Sequence, residues 1–287
     1  MKYAYYPGCS LESSAKEYDL SIRACCEFTD VELIEVPDWI CCGASSAHAT
    51  SHLLSIALPA KTLVQTEKMG LHQIIAPCIA CLTRLKVANI EMAEDTDLKG
   101  KVETVLESDY KGNVRVRNIL DVFLNDVGLE KIRKKVVTPL KGLKVACYYG
   151  CLLTRPPHIA QFDDVENPQS MDELMRAIGA ETVEWSFKTD CCGVSMSLAE
   201  TDAALVLTNK ILEGAKDAGA DCVAVACPLC QSNLDLRQKA IGNTFGVFYD
   251  LPILYFSQLM GLAFGATTTD VGLEKVIVDP FPVLGAI

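Results

Sequence analysis

The sequence predicts a duplicated α/β protein, two pseudo-symmetric Rossmann-like α/β domains that carry cysteines at the carboxyl ends of their strands. Three observations predict it. Five cysteines recur in one order, as Cys9, Cys41-Cys42 and Cys78-x-x-Cys81 and then as Cys151, Cys191-Cys192 and Cys227-x-x-Cys230. The internal gaps are 31, 35 and 2 residues in the first set and 39, 34 and 2 in the second. Short strand-like runs alternate with helical patterns in both halves, which argues for largely parallel sheets. Of 287 residues, 50% are apolar and 22% charged, enough to bury substantial cores. A repeat period of about 140–150 residues marks duplicated domains and not a solenoid, with the division expected between 1–140 and 141–287.

The elements follow in order. Lys2-Tyr3-Ala4-Tyr5-Tyr6-Pro7-Gly8-Cys9 resembles Lys144-Val145-Ala146-Cys147-Tyr148-Tyr149-Gly150-Cys151. Each reads as a buried strand ending in a glycine turn with the lone cysteine just beyond. Residues 12–28 are helical in composition, and Val31–Val36 alternate as a strand. The Cys41-Cys42-Gly43 loop precedes a long helical pattern over Ser45–Lys68, with Pro59 as the expected break. Gln73–Ala76 reads as a strand and Ile79–Glu94 as a helix. Residues 96–112 look like a polar connector, and Val114–Val136 like one or two helices. In the second half, Met171–Ile178 reads as helix, Thr182–Trp185 as strand and Ser195–Asp217 as helix. Cys222–Ala226 reads as strand and residues 228–241 as helix. Residues 156–170 form the loop that lengthens the first gap of this repeat. The tail, Leu251–Ile287, carries a helix over Phe256–Phe264 and an apolar end suited to a partner protein or to the core.

A net charge of −11 argues against a nucleic-acid binder, and no apolar run approaches the length of a membrane span. The N-terminal residues lack the apolar core of a signal peptide. A cytoplasmic location is therefore expected, and in a reducing compartment clustered cysteines serve as metal ligands or redox groups more often than as disulfides.

Each cysteine set contains one thiolate more than a tetrahedral zinc site accepts. Zinc bound by the two Cys-x-x-Cys pairs would leave both adjacent pairs and both lone cysteines without a role. A thioredoxin-like dithiol at Cys227-Pro228-Leu229-Cys230 has the right spacing but does not explain the repetition. Iron–sulfur ligation remains, either as a four-iron cubane with a spare cysteine or as a cluster of other geometry. Adjacent cysteines point apart in extended chain, so Gly43 and Gly193 are expected to supply the turn that aims each pair at one centre. Cys25, Cys26, Cys147 and Cys222 fall outside the repeat and read as small buried hydrophobes. Tyrosines 5, 6, 148 and 149 read as strand-core packing, with shielding of a cluster as the alternative.

The doubled order of a lone cysteine, Cys-Cys-Gly and Cys-x-x-Cys resembles the cysteine-rich CCG domain family. A free-standing chain with both repeats complete is similar to the B-type subunits of heterodisulfide reductase from methanogenic archaea. The resemblance spans essentially the whole chain and implies that Cys9, Cys41, Cys42, Cys78 and Cys81 ligate one [4Fe-4S] cluster. It implies that Cys151, Cys191, Cys192, Cys227 and Cys230 ligate a second, both non-cubane. It further implies an oxidoreductase component that splits the disulfide of coenzyme M and coenzyme B between two clusters in methanogenesis. Two one-electron centres suit a two-electron bond. Implied partners are the ferredoxin-like C-type and flavin-bearing A-type subunits of such a reductase, with a hydrogenase behind them. No Gly-x-Gly-x-x-Gly follows a strand, so electrons are expected from such partners. The competing expectation is a CCG-domain electron relay within a fumarate, succinate, lactate or glycolate system.

The substrate so implied is anionic, and an acidic protein must supply local cations for it. Arg84 follows Cys81 and Arg155 follows Cys151 in matching contexts, while Lys188, His48 and His158 lie near ligand segments. These five are the sequence-level candidates for substrate contact, against the ordinary role of solvated or ion-paired surface groups.

Overall fold

The computed structural model describes residues 1–285; the last two positions of the tail expectation, 286 and 287, lie outside them. Two four-stranded sheets form the scaffold, and every strand pairing in both is parallel. In the first, β1 (Lys2–Tyr5), β2 (Glu32–Glu35), β3 (Gln73–Ile75) and β4 (Arg115–Arg117) lie in the order β2-β1-β3-β4. In the second, β5 (Lys144–Tyr148), β6 (Glu181–Thr182), β7 (Cys222–Val225) and β8 (Ile253–Tyr255) repeat it as β6-β5-β7-β8. The expected duplicated α/β architecture is what folds. The strand order reverses beside β1 and β5, and the carboxyl edge at such a reversal is where open parallel sheets place their ligands.

Helices cover the sheets because parallel strands bury both faces. They are α1 (Gly8–Glu12), α2 (Lys16–Thr29), α3 (Ala47–Thr50), α4 (His52–Lys68), α5 (Ile79–Glu94), α6 (Thr96–Leu106), α7 (Ile119–Val122) and α8 (Leu129–Lys135). The second half adds α9 (Pro157–Ala160), α10 (Ser170–Ala177), α11 (Thr201–Asp217), α12 (Pro228–Leu236), α13 (Gln238–Phe245), α14 (Phe256–Ala263) and α15 (Phe281–Leu284).

Several boundaries differ from expectation for identifiable reasons. The break in the 45–68 pattern falls at Ser51, not at Pro59, which is buried inside α4. Ser51 is extended, at φ −159° and ψ 133°, and its side chain caps α4 by accepting from Leu54 N at 3.4 Å. A cap of this kind outcompetes helix continuation. The supposed connector is α6, capped by Asp95, which accepts from Asp97 N and Leu98 N at 2.9 Å, and anchored by buried Leu98 and Val102. Strands β4 and β8 were not expected. Each has only three residues, too few for alternation to show, and is recruited by pairing with β3 or β7. The segment at 182–185 shrinks to the two residues of β6. The 195–217 pattern becomes a single 3-10 turn, Val194–Met196, and then α11. Residues 228–245 divide at Arg237 into α12 and α13, and α9 interrupts the 156–170 loop.

The two halves interlock through α2 of the first and α14 of the second. Tyr18 stacks on Tyr255 with centroids 4.0 Å apart and planes 6° apart. Phe256 meets both Tyr18 and Phe123 edge-on at 6.3 Å, each such pair adding about 0.5–1.5 kcal/mol beyond its burial. Ser21 and Ser257 exchange a buried hydrogen bond of 2.7 Å. Cys25 donates to Ser257 O at 3.2 Å, in the core role expected of it. Cys26, Cys147 and Cys222 are likewise buried.

Candidate metal centres

Each set of five cysteines gathers from the carboxyl ends of three parallel strands. The lone cysteine follows β1 or β5, the adjacent pair follows β2 or β6, and the Cys-x-x-Cys follows β3 or β7. Cys9 lies in α1, while Cys78 and Cys227 are the residues that precede α5 and α12.

Glycine is required at the two turns of each set. Gly8 (φ +65°) and Gly150 (φ +70°) are in the left-handed region that favours glycine. A Cβ at Gly8 would sit 3.2 Å from Cys81 Sγ, and one at Gly150 would sit 3.1 Å from Cys230 Sγ. Gly43 and Gly193, which end the Cys-Cys-Gly triplets, have φ +73° and +82°. A Cβ there would approach Ala47 Cβ to 2.7 Å or Ala204 Cα to 3.0 Å. The triplet glycine thus turns the chain and lets the next helix close over the paired cysteines.

The sulfurs meet in the same sequence in both halves. Cys9 contacts Cys41, Cys42 lies 3.2 Å from Cys81, and Cys81 contacts Cys78. Cys151 contacts Cys191, Cys192 lies 3.8 Å from Cys230, and Cys230 contacts Cys227. All fourteen cysteines are free thiols. In each set the adjacent pair's second member and the Cys-x-x-Cys are buried, while Cys9, Cys41 and Cys191 are exposed and Cys151 is half-buried.

The neighbouring thiols polarise one another. A hydrogen bond from Cys81 holds the Cys42 thiol down to about 7 against burial, and Cys81 itself is pushed well up. Cys151 does the same for Cys191, held at about 6, and Cys230 for Cys227, held at about 7. One proton leaves each pair readily, but a second thiolate beside the first is disfavoured by like charge. Full ionisation of five thiols therefore calls for a multiply charged thiophilic centre, which deprotonates its thiol ligands outright. Among the described residues, no group of three or more His, Cys, Asp or Glu side chains converges on a single ion. The donor set suits a larger, sulfur-ligated group whose ligands are spread over paired contacts.

Two tyrosines hold the paired cysteines in place. Tyr6 OH donates to Ile40 O at 2.7 Å, and Tyr148 OH donates to Asp190 O at 2.6 Å. Each acceptor is the carbonyl immediately before the Cys-Cys pair, and each tyrosine lies two residues before the turn glycine. Burial, reinforced by the nearby cysteines, pushes both phenols far above their ordinary value. The sequence reads these rings as strand-core packing, with shielding of a cluster as the alternative. Their burial agrees, but the matched hydrogen bonds add a positioning role that only the repeated Tyr-x-Gly-Cys spacing could have signalled.

The second site has further supports. Asn233 Nδ2 donates to Cys192 O at 2.6 Å, and Thr208 Oγ1 donates to the same oxygen at 3.1 Å. Tyr149 N and Gly150 N both donate to Lys188 O, at 2.8 and 3.1 Å. Below them, Lys188 Nζ pairs with Asp172 at 3.0 Å and Tyr149 OH donates to the other carboxylate oxygen at 2.7 Å.

Of the five sequence-level candidates for substrate contact, Arg84 is half-buried on α5 and close enough to favour the Cys42 thiolate. Arg155 is half-buried and donates to Thr189 O, two residues before Cys191. His48 on α3 and His158 on α9 are exposed. The Lys188 ammonium is buried and committed to Asp172 and to Pro168 O at 3.3 Å.

The two sets adjoin across the interface of the halves. The Cys227 sulfur lies beside the N–H of Ile79, the residue after Cys78, which favours its ionised form. Tyr18 OH, from the first half, donates to Ala226 O at 3.0 Å, immediately before Cys227. Burial raises the Tyr18 and Tyr255 phenols, and Cys227 and Cys78 both add to it, so the stacked pair lies within the field of both sets.

Comparison with known proteins gives a consistent placement. The profile of the family described as a cysteine-rich domain, CCG, matches residues 3–86 and again residues 145–235. The chain is 33% identical over 281 residues to the membrane anchor of the 8-methylmenaquinol:fumarate reductase of Wolinella succinogenes, covering 97% of each protein. It is 32% identical over 280 residues to the B-type subunit of the ferredoxin/F(420)H(2)-dependent CoB-CoM heterodisulfide reductase of Methanosarcina acetivorans, covering 96% of this chain and 93% of that one. No helix of the described residues is long and apolar enough to cross a membrane. A crystal structure of a hypothetical protein from Helicobacter pylori superposes with a TM-score of 0.75 at 12% identity. The match covers 97% of this chain and 52% of that one, so this chain spans about half of that structure's length. With the family's profile matched in both halves over most of the sequence, the chain belongs to the cysteine-rich CCG domain family.

Proposed function

We propose that this chain is the iron–sulfur component of an oxidoreductase complex, of the heterodisulfide reductase B type, and that it reduces a mixed disulfide such as CoB-CoM heterodisulfide. The observation that carries this reading is the pair of complete five-thiol sets whose internal contacts follow the same order, adjoining where Ile79 N–H meets Cys227. A relay needs one centre; two facing centres suit a substrate with two sulfurs. The balance is one disulfide, two electrons and two protons giving two thiols.

Cys9, Cys41, Cys42, Cys78 and Cys81 would hold one [4Fe-4S] cluster, and Cys151, Cys191, Cys192, Cys227 and Cys230 the other, in the non-cubane form that the family resemblance implies. Each cluster, when bound, supplies one electron at a time and iron that accepts sulfur. The protein's own part is positional. Tyr6 and Tyr148 fix the Cys-Cys loops, the four turn glycines admit the sulfurs, and Tyr18 and Tyr255 exclude water between the sets. Arg84 and Arg155 lie beside the two sets as cations for an anionic substrate. Electrons would come from partner proteins, ferredoxin-like and flavin-bearing.

A second reading is favoured by the 33% identity to the fumarate reductase relative. In it, the chain passes electrons between a quinol and a separate catalytic partner. One experiment separates the two. Anaerobically purified protein with full iron and sulfide is supplied with a reduced viologen and the CoB-CoM heterodisulfide, and free thiols are counted. Two thiols per two electrons support disulfide reduction. No thiol release, together with oxidation of a menaquinol by the same preparation, would replace it with the relay.

A further inference from the structure

The same interface encloses a polar cavity that no cysteine lines. Leu82, Lys86, Asn89 and Ile90 recur at helical spacing on one stripe of α5. With Arg115 and Phe162 they wall a cavity of about 130 Å³ between the first half and the loop that follows Cys151. A wider hollow of about 420 Å³ shares Arg115 and Phe162 with it. Leu82 directly follows Cys81, and Leu153, also in the wall, lies two residues beyond Cys151, so the wall is built on segments that carry one cysteine of each set.

Its charges are unevenly matched. Lys86 Nζ donates to one acceptor, Ala160 O of the second half, and an ammonium has three donors. Asp121, in the same wall, is already engaged by Arg117 and Asn125, each at 2.6 Å. Arg115 is exposed and forms no ion pair among the described residues. Burial draws Lys86 down to about 8; Asp121 opposes this, and Arg115 and Arg117 reinforce it. A half-buried cation left short of partners is costly, and an oxyanion is the ligand that relieves the cost.

We propose that this cavity binds the oxyanion end of an aliphatic ligand, a sulfonate, phosphate or carboxylate, with Lys86 as the anchoring cation and Arg115 as the second. The apolar residues of the wall, among them Leu82, Ile90, Leu153 and Phe162, take the aliphatic stem. That the ligand is the substrate rests on the function proposed above; the binding of an oxyanion does not.

The test is calorimetric titration of the intact, cluster-loaded protein with butanesulfonate, butyl phosphate and butylammonium, without any electron donor. Saturable binding of either oxyanion and none of butylammonium is expected. Lys86→Met should weaken that binding at least tenfold, and Arg115→Gln about fivefold, the range of a charge-assisted contact. No saturable oxyanion binding by the natural protein, or equal affinity in Lys86→Met, overturns the proposal. Should Lys86→Met not fold, unchanged affinity in Arg115→Gln overturns it alone. Oxyanion binding without disulfide reduction would sink only the proposed function, and disulfide reduction without oxyanion binding only this site.

Discussion

The two halves place five thiols alike and support them differently. In the first half, the fourth strand ends in buried Arg117, which pairs with Asp121 at 2.6 Å and with Asp126. At the matching register of the second half, opposite Ala224, stands the apolar Leu254, and the next residue, Tyr255, stacks on Tyr18. The first Cys-Cys loop has its tyrosine hydroxyl, whereas the second adds Asn233, Thr208 and the buried Lys188–Asp172 pair. Tyr18 of the first half also reaches across to the carbonyl before Cys227. A duplicated fold thus retains the positions of its ligand-bearing strand ends, where geometry is exacting. Its supports are free to diverge, because many hydrogen-bond partners satisfy the same backbone group.

The most severe way to break the correspondence is Cys192→Ala. It should remove about half of the bound iron and sulfide, one of two centres, and abolish disulfide reduction while the first set still loads. Metal analysis alongside turnover checks this, and retained turnover would count against two cooperating sites.

Lys188→Met attacks a support found only in the second half. It leaves the Asp172 carboxylate buried and unpaired, at a cost of about 3–5 kcal/mol, measured as a lower denaturant midpoint. Recovery in the double variant Lys188→Met/Asp172→Leu would show that the unpaired charge, and not lost packing, is responsible.

The first half carries its own test in acid. Burial pushes Asp121 and Asp126 up, but hydrogen bonds and charge from Arg117 outweigh it and hold both below the ordinary carboxylate value. Carboxyls depressed on folding contribute stability that is full above their unfolded values, about 3.9, and is lost as pH falls through the folded ones. Acid unfolding of the natural protein should steepen below about pH 4, and Arg117→Met should flatten that dependence. An unchanged acid profile would dismiss the ion cluster as a first-half support.

The smallest effect compares Tyr6→Phe with Tyr148→Phe. Each removes one hydrogen bond worth about 1 kcal/mol and keeps the ring. Alkylation of the metal-free protein, mapped by peptide mass, should accelerate more at Cys41-Cys42 in Tyr6→Phe than at Cys191-Cys192 in Tyr148→Phe. Asn233 and Thr208 still hold the second loop, so equal acceleration would deny them that role.

Much of this was legible in the chain. The doubled cysteine order identified the duplication and the family, and the glycine after each pair announced a turn that φ +73° and +82° require. Strands β1, β5 and β7 and helix α5 could be read because their apolar patterns run long enough to show a period. Strands β4 and β8, of three residues each, could not, since their state is set by the neighbour they pair with. Lys188 reads as a candidate substrate contact from its distance to Cys191, yet burial of its ammonium against Asp172 depends on how α10 packs. Lys86 and Tyr18 carried no motif at all.

The sequence by itself determined which atoms are the soft ligands, how many there are, and that they come twice, because spacing between strand ends is a local property of the chain. Only the tertiary structure decided which half supports which, that Ile79 meets Cys227, and that Lys86 faces the second half's loop. Those contacts join residues more than 70 positions apart, and what brings such residues together is burial of apolar surface between folded units, which no local pattern encodes.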